Sequence, residues 1–161
     1  MAGTSIAERI TLVKGFLQAT RNVVSTMCFT ECAQGKPSAK SPNDGAGDVI
    51  GVIGLTGEKM GGSMAIVFPK PVVLHIVSAM LGEEYSEINE DVMDAVGEIT
   101  NMISGGGRKA LADMGHRFEM AIPSMIKGPC QINYHRAAEP VIRTPFTTPA
   151  GEFWLEVCFT A

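Results

Sequence analysis

Residues 89–114 read NEDVMDAVGEITNMISGGGRKALADM, and the spacing of their side chains decides how the rest of the chain must be arranged. At about 100° per residue, as in an α-helix, Val92, Val96, Ile99, Ile103, Gly106 and Ala110 share one side, and Asp94, Glu98, Asn101 and Gly105 share the other. The first side is suited to burial; the second lines up two acids, an amide and a gap. Asn89 is the expected N-cap, with Glu90 and Asp91 in the first turn, where negative charge complements the helix dipole. Gly105-Gly106-Gly107 argues against this helix, since each interior glycine costs about 1 kcal/mol relative to alanine. Yet Arg108 to Met114 are acceptable helix residues and Gly115 is a natural stop. The reading is one long helix in which Gly106 seats a crossing helix, while Gly97 and Gly105 leave bare surface beside Glu98 and Asn101.

Working outward, 161 residues with 45% hydrophobic content suit a single domain over 1–161 whose core needs no staples. A net charge of −4 and a pI near 5.4 argue against nucleic-acid binding, which calls for a basic field. No apolar run reaches the roughly 18 residues of a membrane span, and the N-terminus lacks a signal-peptide layout, so a cytoplasmic protein is expected. Cys28, Cys32, Cys130 and Cys158 are too sparse for a disulfide scaffold, and no metal site is expected of them or of the isolated His75, His116 and His135.

Upstream, Ile6, Ile10, Val13, Leu17, Val24 and Met27 recur at helical intervals behind Ser5, a candidate cap, which predicts a second long helix from Ser5 to Met27. The Gly-, Pro-, Ser- and Lys-rich stretch 33–48 has little to bury and is expected to be a mobile loop. Val49–Leu55 and Ser63–Phe68 predict a hairpin, Val72–Leu81 a short helix closed by Gly82, and Pro140–Phe146 with Phe153–Thr160 a terminal hairpin. Between the central helix and that hairpin, short strands are expected over Phe118–Ile122, Pro123–Gly128 and Gln131–His135. This order gives an α+β fold, with two long helices and a short one packed against a largely antiparallel sheet. An echo between Arg21-Asn22-Val23-Val24-Ser25 and Thr100-Asn101-Met102-Ile103-Ser104 points to internal duplication, with Ala19 standing where Glu98 stands.

Asp94-x-x-x-Glu98-x-x-Asn101, the small residues after it and Ala110-Leu111 resemble the signature helix of the CheC, CheX and FliY phosphatases of bacterial chemotaxis. The Ile122–Gly128 segment and the terminal hairpin are similar to the same family, and Ala19 in the first copy makes the chain resemble the CheX type, with one intact Glu-x-x-Asn site. The resemblance implies a CheC-like fold, a homodimer joined through its sheets, and a phosphatase acting on the phosphoaspartate of a CheY-like response regulator. It implies no cofactor of the chain's own, with Mg²⁺ expected in the partner regulator. On this reading Glu98 and Asn101 are catalytic: Asn101 orients the attacking water and Glu98 pairs with the regulator's lysine. Asp94, Gly97 and Gly105 would contact the partner. Two other readings compete. One is a non-catalytic, motor-switch-like module that binds a regulator. The other is a small-molecule hydrolase using Asp94 and Glu98 as acid and base, which requires a concave pocket around them.

Overall fold

The computed structural model describes residues 5–41, 44, 46–119, 121–130 and 140–160. Helix α1 runs Ile6–Thr26, α2 Lys70–Leu81 and α3 Glu90–Asp113; the strands are β1 Ala33–Gln34, β2 Ser38–Ala39, β3 Gly47–Thr56, β4 Gly61–Phe68, β5 Ser124–Cys130, β6 Val141–Thr148 and β7 Gly151–Thr160. They form one sheet in the order β1-β6-β7-β4-β3-β5, with β2 also pairing β6, and every pairing is antiparallel. This is the α+β arrangement expected from the sequence.

The helix ends follow from local chemistry. Ser5 and Glu8 form a reciprocal capping box on α1: the Glu8 amide donates to Ser5 Oγ at 3.2 Å, and the Ser5 amide donates to Glu8 Oε2 at 2.7 Å. Pro69 cannot cap α2 with its side chain, so Asp48 from β3 accepts from the Lys70 amide at 2.6 Å. Gly82 ends α2 in the left-handed conformation, φ 70°.

The long helices cross antiparallel on one face of the sheet, and small residues set their separation. A methyl group added at Gly106 would lie 2.6 Å from Ala19 Cβ; one at Gly15 would strike Ala110, and one at Gly107 the Phe16 ring. The core between helices and sheet is built from Val13, Phe16, Leu17, Val24, Val92, Val96, Ile99, Ile103 and Leu111 against Val49, Ile53, Ile66, Phe68, Phe146, Phe153 and Leu155. On the opposite sheet face, Ile50, Ala65 and Val67 pack with Val52, Ile126 and Trp154. There the fully buried Glu156 receives Lys40 Nζ at 3.0 Å and Arg143 Nη1, and the Arg143 guanidinium stacks over Trp154 at 4.5 Å.

The contacts are those of a duplicated unit. One displacement along the chain carries Gly15, Phe16 and Ala19 onto Gly106, Gly107 and Ala110, the same residues that meet at the crossing. The same displacement carries the registered pair Val52–Ala65 of the first hairpin onto Arg143–Glu156 of the second, and it exchanges Met64–Val157 with Ile66–Leu155.

Three expectations need correction. The stretch 33–48 is not wholly loop, because β1 and β2 hydrogen-bond to β6: Pro145 O accepts from Gly35 N at 2.7 Å and Val141 O from Lys40 N at 2.8 Å. An open sheet edge recruits whatever backbone reaches it, and no side-chain pattern announces that. The described residues of 118–122 form no strand; Phe118 makes an isolated bridge to Gly57, and Ile122 is 90% exposed. The five-residue echo is out of structural register, since Ala19 is buried against Gly106 whereas Glu98 is exposed. The strand expected at Gln131–His135 lies outside the described residues.

Two of the three central glycines, Gly107 and Gly105, should respond oppositely to alanine. Gly107→Ala is expected to lower stability by about 1–3 kcal/mol through overpacking against Phe16, despite its better helix propensity. Gly105→Ala, whose methyl would approach only Arg108 at 3.8 Å, should raise it by about 0.5–1 kcal/mol. Urea unfolding midpoints at unchanged slope measure both.

Candidate functional site

Helix α3 presents the site. The Asn89 side chain accepts from the Val92 amide at 3.0 Å, Glu90 and Asp91 occupy the first turn, and the helix continues without a break through the three glycines to Asp113. Its buried face seats it on the sheet. Gly51 of β3 lets it approach closely there, because a side chain on Gly51 would strike Thr100 Oγ1. Thr100 is itself satisfied within the helix, donating to Val96 O at 2.7 Å. Nothing in the order of residues marks the Gly51 and Gly107 seats, since a glycine's role in packing depends on what crosses it.

With the apolar face fixed, Asp94, Glu98 and Asn101 are exposed, and Gly97 and Gly105 are half-buried beside them. Among the described residues, the side chains of Asp94, Glu98 and Asn101 make no hydrogen bond or ion pair. Asn22 on α1 differs: its Oδ1 accepts from Gln18 Nε2 at 3.0 Å, and Gln18 Oε1 is engaged by Arg21. One amide is held within its own helix and the other is left for solvent or a partner. On the duplication set by the crossing, Ala7 and Ile10 occupy the places of Glu98 and Asn101, so the first copy has neither acid nor amide.

The glycines divide into two kinds. Gly106 and Gly107 are required by the crossing, as no Cβ fits at either. At Gly97 an added Cβ would meet only Met125 Sδ at 3.7 Å, and at Gly105 only Arg108 at 3.8 Å, both ordinary contacts. Internal packing therefore gives no reason for glycine at 97 or 105, where each costs about 1 kcal/mol of helix propensity. What they provide is a low surface on either side of Glu98 and Asn101.

Other chemistries find little support. A cavity of ≈ 380 Å³ is lined by Gly57–Met60 and Gly115–Glu119; Asp94, Glu98 and Asn101 do not line it, nor the clefts beside Tyr85 and Cys32. Burial pushes the Cys28 thiol up to about 11 and raises Cys32 as well, so neither is a ready thiolate. His75 is exposed on α2 and His116 is half-buried after α3, while His135 lies outside the described residues. Among the described residues no cluster of three His, Cys, Asp or Glu could hold a metal ion, and no helix is long and apolar enough to cross a membrane.

Comparison with known proteins bears on the family and the fold. The family model described as "Chemotaxis phosphatase CheX" matches residues 49–147. The CheY-P phosphatase CheX of Thermotoga maritima is 29% identical over 118 residues, covering 73% of this chain and 76% of that protein. A crystal structure of the chemotaxis protein CheX from Desulfovibrio desulfuricans superimposes with a TM-score of 0.86 at 43% identity, covering 93% of this chain and 99% of the other. The CheX of Borrelia burgdorferi, solved in complex with CheY, BeF₃ and Mg²⁺, shares the fold with a TM-score of 0.80 at 24% identity, covering 93% and 98% of the two chains. With its antiparallel sheet, its paired long helices and a family match spanning β3 to β6, the chain belongs to the chemotaxis phosphatase CheX family.

Proposed function

We propose that this protein removes the phosphoryl group from the phosphoaspartate of a CheY-like response regulator, by inserting Glu98 and Asn101 of α3 into the regulator's active site. The observation that carries the reading is that both side chains are exposed and uncommitted, on a helix whose flanking glycines at 97 and 105 serve no internal packing. Membership of the family and the activity of the Thermotoga relative support it.

An acyl phosphate is already activated, and on this reading the regulator brings its own Mg²⁺ and lysine to the phosphoryl group, so the chain need supply only a positioned water. The Asn101 carboxamide offers a donor and an acceptor at fixed spacing and holds that water in line without changing its own protonation state. The water oxygen bonds to phosphorus as the acyl oxygen–phosphorus bond breaks, returning the aspartate carboxylate and inorganic phosphate. Glu98, three residues before Asn101 on the same exposed side, pairs with the regulator's lysine and sets the depth to which Asn101 enters. Asp94, one turn earlier, extends the contact, and Gly97 and Gly105 admit the regulator's loops. A homodimer formed through the sheets is compatible with this, because the stripe lies on the side of α3 turned away from the sheet.

The test is the lifetime of a phosphorylated CheY-type regulator with Mg²⁺ and catalytic amounts of the protein. Wild type should shorten it with turnover, and Asn101→Ala or Glu98→Ala should cut the rate by about 100-fold. Binding without any shortened lifetime would replace this reading with the non-catalytic module. Gly97→Leu and Gly105→Leu should each raise KM for the phosphorylated regulator while leaving the unfolding midpoint at or above that of wild type. An unchanged KM in both would remove the docking role of the glycines.

A further inference from the structure

Arg108 lies seven residues beyond Asn101 on the same helix and is half-buried. Its guanidinium folds back along the helix, with Nη2 at 3.8 Å from where a Cβ of Gly105 would be. Its Nε is buried without a hydrogen-bond partner, and among the described residues the side chain forms no ion pair. A guanidinium with a desolvated, unanswered donor is poorly explained as surface decoration, because water is kept from the nitrogen and the protein offers nothing in return. Arg143 shows the contrast within this chain, since its guanidinium is paired with Glu156 and stacked on Trp154.

We infer that Arg108 is a second anchor for the regulator, taking a carboxylate at the rim of the phosphorylation site while Glu98 takes the lysine inside it. This rests on the function proposed above and adds the residue that fixes how the two proteins are turned relative to one another. The exposed stripe of α3 is polarised along its length: Asp94 and Glu98 lie toward its N-terminal end and Arg108 toward the other. A partner docked along it meets an anionic end and a cationic end, which specifies one direction of approach and disfavours the reverse. The planar fork of the guanidinium suits a carboxylate in two-point contact. Seven residues of helix set the Arg108 backbone about 10 Å from that of Asn101, and folding back over Gly105 brings the guanidinium about one turn closer. That reaches the rim of a site entered by Asn101 and leaves the phosphorus to Asn101.

The experiment compares wild type with Arg108→Ala, Arg108→Lys and Arg108→Glu, reading KM and kcat on the phosphorylated regulator and Kd for the regulator loaded with BeF₃⁻ and Mg²⁺. Arg108→Ala should raise KM and Kd about tenfold with kcat within about twofold, Arg108→Lys should raise them less, and Arg108→Glu more. The steepness of KM against ionic strength should fall in Arg108→Ala. Thermal midpoints should stay near wild type, since the side chain holds no internal partner, and a Lys substitution for one acidic residue beside the regulator's phosphorylation site should restore binding to Arg108→Glu. Unchanged KM and Kd in Arg108→Ala would overturn the inference, as would a loss confined to kcat, which would place the guanidinium on the phosphoryl group. Loss of activity in Asn101→Ala beside a normal Arg108→Ala would sink the anchor and leave the proposed function standing. A wild type that neither binds nor hydrolyses would remove both.

Discussion

The contact between α1 and α3 through Gly15, Ala19, Gly106, Gly107 and Ala110 constrains everything else. Two helices that approach this closely cannot rotate about their axes without driving a side chain into a backbone, so the crossing fixes which side of α3 meets the sheet and which is turned outward. Phe16, seated on Gly107, fills the space that the missing side chain leaves. The exposure of Glu98 and Asn101 is thus a consequence of packing about one and a half to three turns along the helix, and the same contact constrains how that helix presents the two side chains.

Much of this was legible in the amino-acid order because the relevant signals are local. Helical periodicity, Asn89 and Ser5 as caps, and Gly82 at the end of α2 are decided within a few residues, and each stands where the pattern placed it. The role of Gly106 in the crossing was readable too, since a glycine on the apolar side of a helix has few other uses. What stayed hidden depends on partners distant in sequence. The strands Ala33–Gln34 and Ser38–Ala39 exist because β6 offers an edge, and their own residues show no alternation that predicts it. Gly51 under Thr100, and the orphaned Nε of Arg108, are visible only once the helix is seated.

The echo around Asn22 shows how similarity in sequence can mislead about equivalence in space. Five matching residues suggested one alignment of the halves, whereas the crossing and both hairpins agree on another. The residues that preserve the duplication are those in contact across it. Elsewhere the halves have drifted far in chemistry while keeping their geometry: Val52 and Ala65 in one hairpin correspond to Arg143 and Glu156 in the other.

Positions that hold the two halves together and positions that present acid and amide lie on different faces of the same helices, so selection can act on one set without disturbing the other. At Ala7 and Ile10 the first half has neither acid nor amide, yet its helix supplies half of the crossing. In such an architecture the outward side chains of a helix can change while the frame that carries them keeps its contacts.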